Sequence, residues 1–104
     1  MGLVVAPVVK GKEKEWKKWV ANSKKDLEDL NKRYGLTRHD VWEVESPDGT
    51  LAVVLHEGPG ADSFMQKIAS SNNKTDLLFK ESLAKFHGMD LNAPPPGPMP
   101  VKLN

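Results

Sequence analysis

A chain of 104 residues with a net charge of +1, from 15 basic and 14 acidic side chains, has no global pull toward nucleic acid and no polybasic tail for anionic lipid. The absence of cysteine excludes disulfides, thiol catalysis and cysteine-based metal sites. A hydrophobic share of 38% suits one small domain over residues 1–104, with a core modest enough to leave room for stabilisation by a partner subunit.

Lysines cluster between Lys10 and Lys25, but Glu13, Glu15, Asp26, Glu28 and Asp29 interleave or follow, as on a solvated helix face. Met1 to Pro7 lacks a basic leader segment, and no run approaches the roughly 20 apolar residues of a membrane span. A cytoplasmic protein with no membrane and no nucleic-acid partner is expected.

Leu3 to Val9 is an apolar, β-branched run that reads as a buried strand. Pro7 has no N–H, so a bulge or an unpaired position is expected there. From Lys12 the period changes. Trp16, Trp19, Val20, Ser23, Leu27, Leu30 and Tyr34 recur at three- and four-residue steps, which predicts one amphipathic helix of about six turns ending at Gly35.

His39 to Ser46 alternates like an edge strand, and Pro47-Asp48-Gly49 supplies turn chemistry with Gly49 as the αL residue of a bulge. Leu51 to Leu55 is apolar throughout, as in a strand covered on both faces. Gly58-Pro59-Gly60 breaks the chain. Ser63 and Gln66 read as a capping box for a helix carrying Phe64, Met65 and Ile68. Ser70 to Asn73 interrupts that helix, and Asn73 or Thr75 caps its continuation through Leu78, Phe79, Leu83 and Phe86 to Gly88. A proline-rich connector over 93–98 then leads to Met99–Leu103, read as a short edge strand, with a disordered tail as the alternative.

The resulting fold class is α+β, a ferredoxin-like split β-α-β sandwich in the order β-α-β-β-α-β with its second helix broken. In that topology the first and third strands are central. Two helices cover one sheet face, so a second copy is expected on the other, giving a homodimer through the open sheet face.

The order of elements resembles the dimeric α/β-barrel superfamily, which includes antibiotic-biosynthesis-monooxygenase-like and stress-responsive barrel domains. The segment Thr37-Arg38-His39-Asp40-Val41-Trp42 through Pro47-Asp48-Gly49, with His87-Gly88-Met89-Asp90-Leu91 and the proline run, looks like a bacterial branch of it. The resemblance implies a small-molecule-binding protein with a pocket between sheet and helices. It also implies cofactor-free monooxygenase- or cyclase-like chemistry on a small aromatic or polyketide-like compound. A non-catalytic ligand-binding or oligomerisation module of the same fold is the alternative. No catalytic set of that superfamily matches this sequence position by position.

Hairpin register decides which side chains share the pocket. A three-residue loop, the preferred reading, sets Asp40 beside His56 and Trp42 beside Val54, so that Asp40 orients His56 as a general base and Trp42 forms a stacking wall. A four-residue loop gathers His39, Glu43 and His56 instead and sends Trp42 to the opposite face. Trp16 and Trp19, on the apolar stripe of the first helix, are core residues that also suit an aromatic ligand. His87 reads as a charged C-terminal helix cap. The three histidines lack metal-ligand spacing, and no metal or cofactor is expected.

Overall fold

The computed structural model describes residues 2–91, 100, 101, 103 and 104. The chain is α+β: strand β1 (Gly2–Pro7), helices α1 (Glu13–Asn22) and α2 (Lys24–Tyr34), strands β2 (Arg38–Ser46) and β3 (Gly49–Glu57), a 3-10 turn (Ala61–Ser63), and helices α3 (Phe64–Ser70) and α4 (Lys74–His87). The strands form one antiparallel sheet in the order β1-β3-β2. Both β1 and β2 run against β3 and so are parallel to each other, with α1 and α2 as the crossover.

Pro7 closes β1 without a bulge, its pairing with Leu51 continuing the register of Gly2 with His56. The reason lies in the alternation of antiparallel hydrogen bonds. Val8 N–H donates to Thr50 O at 2.9 Å, so Ala6 and Val4 also address β3 while the Pro7 nitrogen faces the outer edge. Among the described residues no strand pairs with that edge, so the missing donor is not called on. Among the described residues only β3 has a strand on each side, and β1 lies at an edge rather than in the middle. The expected connector over 93–98 lies outside the described residues, as do Met99 and Lys102 of the expected last strand. Pro100, Val101 and Leu103 carry no strand pairing.

The long first helix is two helices. Ser23 breaks it, with its hydroxyl donating back to Trp19 O at 2.5 Å and its N–H reaching Val20 O at 3.4 Å. A serine that bonds the preceding turn bends a helix, and here φ −97° and ψ 13° take it out of the helical path. The break sends the apolar stripe to two places. Trp16 and Val20 pack with Val8, Ala52 and Phe86, whereas Leu27 and Leu30 pack with Leu36, Phe64 and Ile68.

The capping box does not form. Ser63 makes no cap bond and its hydroxyl turns to Gly60 O, the chain entering α3 through the 3-10 turn instead. Asn73 caps α4 by accepting from Thr75 N–H at 2.9 Å. Gly35 and Gly88 end α2 and α4 in the left-handed conformation, as C′ glycines do.

All four helices lie on the sheet face that carries Val4, Ala6, Ala52, Val54, His56, His39 and Val41. The other face presents Leu3, Val5, Leu51, Val53, Leu55, Trp42 and Val44 in three registered rows. Leu3, Trp42 and Val44 are 40%, 44% and 42% exposed, so among the described residues nothing covers this apolar surface.

Candidate functional site

The hairpin closes with only Pro47 and Asp48 between its strands, Ser46 pairing with Gly49. Gly49 has φ +133°, outside the αL region that a bulge residue needs, and belongs to β3 rather than to the loop. The preferred register therefore slips by one residue. His39 stands opposite His56, Asp40 opposite Leu55, and Trp42 opposite Val53. Side chains alternate, so that slip carries Asp40 and Trp42 to the open face and His39 to the helix-covered one.

His39 and His56 meet edge to face with ring centroids 4.6 Å apart, and Phe64 packs on both. His39 Nδ1 lies 3.3 Å from Asn31 Oδ1 at the inward side of α2. Asp40 instead bonds the Arg38 guanidinium, which lies over the Trp42 ring at 5.9 Å. Asp40 thus cannot orient His56, and Trp42 cannot wall it.

His87 departs furthest from its expected part. It is 6% exposed and packs edge-on against Trp16, with Nδ1 2.9 Å from Pro7 O at the end of β1. Burial lowers its pKa despite the opposing pull of the Pro7 carbonyl, so the ring is not the charged cap of a helix end. A signal for this was present in the sequence: His87 follows Leu83 by four residues on the apolar stripe of α4.

Burial likewise pushes His56 down to about 4, reinforced by repulsion from His39, and His39 down to about 4 against the attraction of Asp40. All three imidazoles are therefore neutral near pH 7. Among the described residues no three His, Asp or Glu side chains gather to hold a metal.

Of three spaces in this region, two touch the imidazoles. An open cleft of about 400 Å³ runs between α1 and the outer edge of β2, lined by Trp16, Val20, Val41 and Trp42, with the Lys17–Glu43 ion pair of 2.7 Å at its mouth. Behind Trp16, Val20 and Val41 lies an inner cavity of about 40 Å³ that also touches Trp19, His39, Phe79 and His87. A second cavity of about 40 Å³ shares Val54, Leu83 and His87 with the first and reaches His56. Trp16 and Trp19 thus line the first inner cavity together with His39 and His87, whereas Trp42 belongs only to the outer cleft.

The arrangement offers apolar walls, aromatic faces and neutral imidazoles. Such groups hold a ring and exchange hydrogen bonds with it. They make weak bases, because an imidazole titrating near 4 is poorly matched to proton removal at neutral pH. No family model, curated protein or solved structure matches the chain.

Proposed function

We propose that this chain is a small-molecule-binding protein of the ferredoxin-like, dimeric α/β-barrel kind, taking a compact and mostly apolar ring compound between sheet and helices. One observation carries the reading. The outer cleft and the inner cavity share Trp16, Val20 and Val41, so a ligand that parts these three side chains passes from solvent to the histidines. The cleft has the volume and apolar lining of a ligand site. Each inner cavity holds no more than a few waters as it stands. Val54, Leu83 and His87 border both, so a ring that enters has to displace side chains at that shared wall.

Binding is better supported than catalysis. Moving a proton from a phenol-like hydroxyl, of pKa about 10, to an imidazole titrating near 4 is uphill by roughly 8 kcal/mol. Monooxygenase- or cyclase-like chemistry that starts from a His56 or His39 base would have to recover that from the ligand. The open apolar face of the sheet supports pairing with a second copy, which would give the homodimer its barrel-like core.

Trp16 and Trp19 provide the readout. In a Trp42→Phe background, titration with small aromatic compounds should quench their fluorescence saturably, and Val20→Phe, which plugs the passage, should abolish the effect while the fold persists by circular dichroism. Quenching that is linear with concentration, or unchanged by Val20→Phe, would sink the pocket.

A further inference from the structure

His87 borders both inner cavities and is tied by Nδ1 to the Pro7 carbonyl at 2.9 Å. A carbonyl oxygen only accepts hydrogen bonds, so the single proton of the neutral ring resides on Nδ1. Nε2 is left with its lone pair. His39 repeats the arrangement on the sheet side, its Nδ1 directed to the amide oxygen Oδ1 of Asn31, which is also an acceptor. Two imidazoles that line the first inner cavity therefore carry Nε2 as an acceptor, not a donor, for an occupant that reaches it.

We infer that His87 is the specificity-determining residue of this pocket, its Nε2 selecting neutral ring compounds that carry an O–H or N–H donor. The inference rests on the ligand-binding reading above and adds the chemical class of ligand. A hydrocarbon ring of the same size leaves Nε2 without a partner in a space it has closed to water. An anionic ring sets its own lone pairs against that of Nε2 and loses its hydration as well. The discrimination expected from one buried hydrogen bond is about tenfold.

Phenol and toluene separate these terms, because they have nearly the same shape and differ in the donor. Affinities measured by calorimetry for the wild-type chain and for His87→Leu should show the phenol-to-toluene ratio falling about tenfold in the variant, with benzoate binding neither. A second measurement needs no variant. Imidazole ¹⁵N spectra of the wild-type protein at pH 7.5 should show His87 protonated at Nδ1 and bare at Nε2, with the Nε2 resonance moving on addition of phenol and not of toluene. A ratio unchanged by the substitution, or a protonated Nε2, would overturn donor selection while leaving the pocket intact. If neither ring binds, the pocket itself fails and this inference goes with it.

Discussion

His39 and His56 face each other across β2 and β3 with ring centroids 4.6 Å apart, both on the side covered by the helices. In the unfolded chain these imidazoles take up protons near pH 6.5. In the fold, burial holds both down to about 4. Between those values the unfolded state binds more protons, so stability is complete above about pH 6.5, falls as the pH drops toward 4, and levels off below. At about 1.4 kcal/mol per pKa unit, each ring withdraws up to roughly 3 kcal/mol, a large part of the usual 5–15 kcal/mol. Urea denaturation at pH 7.5 and pH 5.0 should show a loss of about 3–4 kcal/mol, and His39→Phe should remove about half of it. Equal midpoints at the two pH values would contradict the buried neutral pair.

Asp76 stands in the first turn of α4 with no exposed surface, and its carboxylate meets four donors from two segments, the end of α2 and the link before α4. Arg33 of α2 grips it with two nitrogens at 2.6 and 3.1 Å, Ser71 Oγ donates at 2.6 Å, and the Tyr34 hydroxyl adds a fourth bond. Burial alone would raise its pKa, but the Arg33, Ser71 and Tyr34 bonds outweigh it and hold the group at about 2. Removing one partner leaves the other polar groups uncompensated, so Asp76→Ala should destabilise by about 3–5 kcal/mol. Arg33→Met strands the buried carboxylate and should come close to that figure. Thermal melts of both variants at pH 7 decide the point, with losses under 1 kcal/mol speaking against an integrated network.

How much of this was legible in advance varies with the kind of signal. Trp16, Val20, Leu27 and Leu30 announced a buried stripe because a helix repeats its contacts every three or four residues. The break at Ser23 was harder to read, since a serine within such a stripe is silent until its hydroxyl chooses the Trp19 carbonyl over solvent. Of the hairpin strands, β2 is plain from its alternation and β3 from its unbroken apolar run. Their register hung on whether Gly49 adopts the αL conformation, and one residue of slip exchanged Asp40 and Trp42 for His39. His87 was read by its place at a helix end, and the β1 carbonyl that holds it is 80 residues away in sequence.

Gly58-Pro59-Gly60, which reads as a simple chain break, is a point of close approach. A Cβ on Gly60 would stand 1.7 Å from the Tyr34 carbonyl oxygen, and one on Gly58 would stand 2.5 Å from that of Gly35. The segment is seated against the end of α2, with Gly60 N–H donating to Gly35 O at 3.1 Å. Both obstacles are backbone, so no side chain can swing aside. Gly60→Ala should therefore cost at least about 3 kcal/mol, beyond ordinary overpacking. Pro59→Ala, at an exposed position between the two, should cost under about 1 kcal/mol. Similar melting temperatures for the two variants would refute the close approach.

The open sheet face sets a limit on how tightly two copies can associate. Its two nine-residue strands and one six-residue strand present roughly 400 Å² of projected sheet, from the spacing of strands and residues. That is about half of what a standard interface contributes per partner. A pair held by this face alone should form at micromolar concentration and dissociate on dilution, rather than persist as an obligate dimer. Val53 lies at the middle of the central strand, in the row of Val5 and Trp42. Val53→Lys would set two ammonium groups near the axis of a symmetric pair, within an apolar surface. Sedimentation velocity across about 1–200 μM should show the wild-type chain moving from monomer to dimer and the variant remaining monomeric. The helix-covered pocket lies on the other side of the sheet, so Trp16 and Trp19 quenching by aromatic ligands should survive the substitution. A wild-type chain that stays monomeric at 200 μM would leave the exposed Leu3, Trp42 and Val44 to some other partner.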